Sequence, residues 1–146
     1  RAIRNVRAEF KISPTVKLLV TINASNALEI IKSESNTIMT LARVEDLIVL
    51  TGDQIVSDQD ITVVLSIGTI TIPVGNLVDL AKERERLLNE IGNIDTNIGK
   101  LTARLADAKF LSKAPKEVVE RERMRLENIE DRRDKLIVTI SRIRQA

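Results

Sequence analysis

The chain has 146 residues, 30% of them charged, 43% apolar and 1% aromatic, with a net charge of +2 and neither cysteine nor histidine. That composition excludes disulfides and thiolate metal centres, and it removes the commonest general base and the commonest metal ligand. No run approaches the roughly 18 apolar residues of a membrane span, so no membrane partner is expected. The length suits one ordinary domain or a small domain carrying an arm. The start Arg1-Ala2-Ile3-Arg4 has neither a Met nor a signal-peptide pattern, so the chain is expected to begin inside a longer polypeptide. Asn23-Ala24-Ser25 is a glycosylation sequon, meaningful only in a secreted protein.

Ile3, Val6 and Phe10 fall at helical spacing while Arg1, Arg4, Arg7 and Lys11 line another face, which predicts a helix over 2–11 ending near Ser13-Pro14. Val16, Leu18, Val20 and Ile22 then alternate as a strand. Asn23 or Ser25 is placed to cap a short helix holding Ala27, Leu28, Ile30 and Ile31. Ser33 to Asn36 breaks it, and Ile38, Leu41 and Ala42 suggest a second short helix. Leu47-Ile48-Val49-Leu50 reads as a strand core followed by a turn at Thr51-Gly52-Asp53. Ile61, Val63, Leu65 and Ile67 alternate, Gly68-Thr69 reverses the chain, and Ile70, Ile72 and Val74 return as the second strand of a hairpin. The expectation is a small α/β unit of about four strands with short helices.

Beyond Asn76 and Asp79, which resemble a capping box, the rhythm changes. Leu80, Leu87, Ile91, Ile94, Ile98, Leu101, Leu105 and Ala108 recur at steps of three and four, and the rhythm returns at Val119, Leu126, Ile129, Leu136, Ile140 and Ile143. Only a short stretch containing Pro115 separates the two runs, so they should pair as an antiparallel coiled-coil hairpin with its tip near 109–115. Pro115 suits the first turn of the second helix, and Glu117 its dipole. Gly92 and Gly99, with Asn93 and Asn97 between and beside them, predict a softer middle in the first helix. Arg84, Glu122 and Arg133 interrupt the seam and would fix its register. The fold class is therefore α+β: residues 1–13 as a helix end, 14–76 as the α/β unit and 77–146 as a coiled-coil arm.

Charge divides along the same line. Residues 1–76 carry seven Lys/Arg against eight Asp/Glu, a net of −1, whereas residues 77–146 carry sixteen against thirteen, a net of +3. Phosphate loops, dinucleotide-binding glycines and a Ser/His/Asp set are missing from the sequence. Carboxylate pairs such as Glu83/Glu85 and Glu120/Glu122 lie in the charged arm and read as solvated faces. We therefore expect no catalysis by this chain, and no metal or cofactor bound to it.

Nucleic acid is the partner its chemistry suits. Around the tip stand Lys100, Arg104, Lys109, Lys113, Lys116, Arg121, Arg123 and Arg125, many at helical steps that put cations side by side for a phosphate backbone. The near absence of aromatics argues against base stacking and for recognition of shape and backbone, as in structured RNA. Arg4, Asn5 and Arg7 form a second candidate edge. Taken singly, each cation is more at home on a solvated face beside a neighbouring Glu.

Three motifs carry a family resemblance. Ala2-Ile3-Arg4-Asn5-Val6-Arg7-Ala8-Glu9 followed by Ile12-Ser13-Pro14 resembles the end of the anticodon-binding helical bundle of bacterial-type valyl-tRNA synthetases. Phe110-x-x-Lys113-Ala114-Pro115-x-x-Val118-Val119-x-x-Glu122 resembles the tip and return helix of that family's C-terminal coiled-coil arm, and Leu77-Val78-Asp79-Leu80 resembles the entry to it. The family often has Lys-Leu-x-Asn before the tip Phe, where this chain has Arg104-Leu105-Ala106-Asp107. Its arms are rich in Leu, Lys and Glu, where this one has the polar Gly92–Gly99 stretch.

The resemblance implies that the full enzyme is a cytoplasmic ATP- and magnesium-dependent valine–tRNA ligase that also hydrolyses misacylated threonyl product. This chain would be its non-catalytic tRNA-holding part, attached to the catalytic and anticodon-binding body and monomeric. The arm's cations would map near the tRNA elbow, where the D and T loops meet, and Arg4, Asn5 and Arg7 near the anticodon-binding side. The alternative is a structural or chaperone-like coiled-coil protein that binds no RNA, or a seam that pairs between chains. Prefoldin-like chaperones place their β-hairpin between the two long helices, whereas here all predicted strands precede both.

Overall fold

The alternation that predicts the first strand puts Leu18, Val20, Ile22 and Ala24 on one face, and all four are buried. In the computed structural model, which describes residues 1–24 and 26–143, this strand, β1 (Leu18–Ala24), lies inside a four-stranded sheet. The chain forms two units, one of Arg1–Ala81 with the stretch from Arg142, the other of Lys82–Ser141.

In the first unit, α1 (Ala2–Glu9) precedes β1, and α2 (Leu28–Ser33) and α3 (Ser35–Ala42) connect it to β2 (Val44–Leu50). The hairpin of β3 (Asp60–Leu65) and β4 (Gly68–Pro73) completes the sheet in the order β2-β1-β4-β3. β1 and β2 are parallel, which is why a helical crossover joins them, and the remaining pairs are antiparallel. Ile22 faces Ile70 and Ile61 faces Ile72 across the ladder, so the apolar positions of three strands fall on one side. Ile3, Val6, Phe10 and Ile12 of the α1 segment are buried with them in the core of this unit.

Several sequence expectations shift by a turn. β1 starts at Leu18, because Val16 closes a turn onto the Ser13 carbonyl. Only Glu34 separates α2 from α3, so the expected break over 33–36 is shorter. Asn23 does not cap α2; it is in β1 and its amide donates to the Gly52 carbonyl. Ser25, the other expected cap, lies outside the described residues. The hairpin reverses at Ser66-Ile67, with Gly68 already paired to Leu65. Gly68 has φ +145°, and a Cβ there would stand 2.0 Å from the Asn23 carbonyl oxygen, so only glycine lets β1 approach.

The second unit is an antiparallel helical hairpin. α4 (Leu80–Ala106) and α6 (Lys116–Ser141) are joined by α5 (Ala108–Lys113). α4 opens directly after Asp79, not three residues earlier at Asn76, because the amides of Leu77 and Val78 close a turn onto the Val74 carbonyl. At about 1.5 Å per residue α4 is roughly 40 Å long. Leu87, Leu101, Val119 and Leu136 are buried, and Ile91, Ile94, Ile98, Leu105, Leu126 and Ile129 are half-buried, as a narrow two-helix seam leaves them.

Ion pairs fix the register: Arg132 reaches Glu90 at 2.6 Å, Arg133 pairs with Asp95, and Arg104 stands 3.7 Å from Glu122. Of the polar seam positions, the Arg84 Nε and one Glu122 carboxylate oxygen are buried without a hydrogen bond. Ile143, which the heptad rhythm puts in the seam, leaves it. It bridges to Ile61 on the outer edge of β3, and the Thr62 amide donates to the Arg142 carbonyl at 3.0 Å. All four strands precede both long helices, unlike a prefoldin-like order in which the β-hairpin lies between them.

Candidate nucleic-acid interface

Asn97, Lys100, Leu101 and Arg104 recur at steps of three, one and three, which places them on one face of α4. With Arg125 of α6 they line a depression of about 180 Å³. Three cations and one amide thus converge on one hollow that no carboxylate lines. Lys100 and Arg125 are exposed and are in no ion pair among the described residues. Arg104 is held at the rim by two neighbours. Its guanidinium carbon stands 5.8 Å from the centre of the Phe110 ring, close enough for a cation–π contact, and Nη1 stands 3.7 Å from the Glu122 carboxylate.

The tip is helical, not an open loop. Asp107 caps α5 by accepting from the Lys109 amide at 2.9 Å. The Asp107 carboxylate is therefore used by the backbone. Lys109 and Lys113 lie one turn apart on α5, Lys116 opens α6 after Pro115, and all three are exposed and free of ion pairs among the described residues. Arg121 and Arg125 follow one turn apart on α6, whereas Arg123 pairs with Glu120 at 3.0 Å. Six of the eight arm positions picked out by the sequence are therefore in no ion pair among the described residues, and Arg104 and Arg123 are the two that are paired.

The second candidate edge divides. Arg4 and Asn5 are exposed on α1. Arg7 is buried, donating from Nη1 to the Ser13 carbonyl at 3.1 Å, from Nε and Nη2 to that of Ala42, and from Nη2 to that of Arg43 at 2.8 Å. Its place is in the packing of α1 against the turn after α3, not on the exposed face shared by Arg4 and Asn5. The expected one-faced cluster does not form because three carbonyls at chain turns draw Arg7 inward.

Residues 79–144 match the family described as the valyl tRNA synthetase tRNA binding arm. Over 146 residues the chain is 36% identical to the valine–tRNA ligase of Mesorhizobium japonicum, covering 99% of this chain and 15% of that protein. The chain belongs to the valyl-tRNA synthetase family. It is 30% identical to the valine–tRNA ligase of Geobacter sulfurreducens over 148 residues, 99% of this chain and 16% of that protein. It is 34% identical to that of Dehalococcoides mccartyi over 129 residues, 87% of this chain and 15% of that protein. The chain thus spans about one-sixth of the length of these ligases.

The family match covers both long helices and the helical tip, so the converging cations lie inside the matched arm. Sequence reasoning missed Asn97 and the tether of Arg104 to Glu122. The Asn97–Lys100–Arg104 spacing on one helical face carried the first. The second needed the hairpin register, which sets Glu122 beside Arg104. Among the described residues, no group of three acidic side chains could hold a metal ion and no helix is long and apolar enough to cross a membrane.

Proposed function

We propose that this chain is the tRNA-holding, non-catalytic part of an ATP-dependent valine–tRNA ligase, and that its arm grips the phosphate backbone of the tRNA elbow. The observation that carries the reading is the hollow between α4 and α6, where Lys100, Arg104 and Arg125 converge with Asn97 and no carboxylate lines the wall. Three cations held around one hollow suit a phosphate, and each contact releases counterions from the RNA. Lys109, Lys113 and Lys116 extend the grip along the tip, and Arg121 and Arg123 extend it along α6. Arg4 and Asn5 offer a contact on the first unit; Arg7 supports that unit from within.

With Phe110 as the arm's only aromatic ring, affinity comes from shape and backbone contacts, not base stacking. Valine activation, with its ATP and magnesium, then belongs to the body of the polypeptide. The arm keeps the tRNA engaged through a high effective concentration. A monomeric, cytoplasmic enzyme fits this reading.

The test is the triple variant Lys100→Gln, Arg104→Gln and Arg125→Gln, titrated with a valine-accepting tRNA at several salt concentrations. At about 0.9 counterions per phosphate contact, its log–log salt slope should be shallower than the wild type's by roughly 2–3. An unchanged affinity and slope would overturn the assignment of the hollow.

A further inference from the structure

Arg7 is a buried cation whose hydrogen bonds go to backbone carbonyls, and among the described residues no carboxylate is paired with it. Burial pushes its pKa down, and the neighbouring charge of Arg43 pushes it further the same way. A buried charge is normally compensated by an opposite one; here the charge that acts on it is a second guanidinium, that of Arg43. Arg43 is itself anchored, with Nη1 donating to the Pro14 carbonyl at 2.9 Å. Its backbone is left-handed at φ 53° and ψ 50° where it closes α3, an uncommon conformation for a residue other than glycine.

Beside this pair opens a cleft of about 520 Å³ whose polar lining includes Thr15, Lys17, Thr40, Arg43 and Glu45. Lys17 and Arg43 are exposed, and neither is in an ion pair among the described residues, although Glu45 shares the wall. Arg7 behind the wall and the two exposed cations on it thus outnumber the single carboxylate. The cleft has cations and hydroxyls but too little negative charge, which is the chemistry of a phosphate seat.

We infer that the cleft between Lys17 and Arg43 is a second phosphate site, taking a backbone phosphate of the same RNA that the arm holds. The inference rests on the tRNA-binding reading for the source of the phosphate, and it gives the α/β unit a binding role besides its packing one. Arg7 is a positioning residue there: it ties the Ser13 turn to the end of α3 and so sets the two walls of the cleft. A wide cleft with exposed cations fits a phosphate on a large polyanion better than an enclosed free ion.

The test uses the full 146-residue chain, with amide NMR and salt-dependent binding as readouts and a valine-accepting tRNA or inorganic phosphate as probes. Lys17→Gln with Arg43→Gly removes both charges, and glycine keeps the left-handed backbone at 43; Lys17→Gln with Arg43→Lys restores one of them. With tRNA, the amides of Thr15, Lys17, Thr40 and Arg43 should shift or broaden. The salt slope should fall by about 2 in the double-neutral variant and recover by about 1 with Arg43→Lys. If those amides stay still and the slope is unchanged while the arm triple variant loses binding, the cleft inference fails and the arm reading stands. If wild-type chain binds no tRNA at low salt, both are overturned. If inorganic phosphate moves the amides and tRNA does not, the cleft is a free-anion site and the RNA assignment is wrong.

Discussion

Gly92 and Gly99 sit in the exposed interior of α4, and a Cβ added at either would meet nothing within 4 Å. Neither has the left-handed backbone that would make a side chain strained. Replacing each with Ala therefore removes the backbone-entropy cost of glycine with no steric penalty, a gain of about 1 kcal/mol per site. Seven residues set the two sites roughly 10 Å apart along the axis, far enough for the gains to add to about 2 kcal/mol. For a unit of this size that corresponds to a rise in melting temperature of roughly 8–16 °C. Helical ellipticity followed on heating reads the gain. Amide exchange over residues 90–100 localises it, since 2 kcal/mol slows exchange through local opening about 30-fold. A melting temperature that falls, or exchange that speeds up, would refute the view that these glycines merely soften the arm.

Leu87 is 1% exposed in the seam, so Leu87→Ala should cost about 2–5 kcal/mol in urea unfolding of the arm; a cost below 1 kcal/mol would contradict its place there. Gly68→Ala drives a Cβ to 2.0 Å from the Asn23 carbonyl oxygen and should destabilise the sheet by about 1–3 kcal/mol or more, with loss of exchange protection at Asn23 and Thr71 as its signature. The Glu90 carboxyl is held below its ordinary value of 4.5, chiefly by its hydrogen bond from Arg132, then by the Arg132 charge and by Arg86. Its contribution is present above the unfolded value and is lost as pH falls through the lower folded one. Glu90→Gln should therefore be less stable than wild type at pH 7, by under about 1 kcal/mol for so exposed a pair. The gap should narrow as pH falls below 4.5 and through the lower folded value; one that stays constant throughout the acid titration would show that the pair adds no pH-dependent stability.

The hairpin arm was legible because its signal is periodic. Leu87, Leu101, Val119 and Leu136, picked from the heptad rhythm, are among the buried residues. The strands were legible from alternation, and their edges shifted where local turns intervened, as at Val16 and Gly68. The departure of Ile143 to the β3 edge was not legible. A heptad rhythm ranks candidates for a seam, but the competing partner, Ile61, lies some eighty residues earlier in the chain.

The candidate interface divides the same way. Exposed arm cations follow from charge and helical spacing. The burial of Arg7 follows from carbonyls at Ser13, Ala42 and Arg43 that only the folded turns bring together. Arg43 stands in a left-handed conformation where sequence statistics would place glycine or asparagine, so nothing local marks α3 as ending there.

The claim at the centre of this account is that the chain reads RNA backbone and shape. The measurement that tests it most directly is binding of the wild-type chain to a valine-accepting tRNA and to an unrelated tRNA, each titrated with salt. The account predicts affinity that falls steeply and linearly on the log–log plot, with nearly equal slopes and affinities for the two tRNAs. Binding that ignores salt, or no binding to either tRNA at low salt, would contradict it.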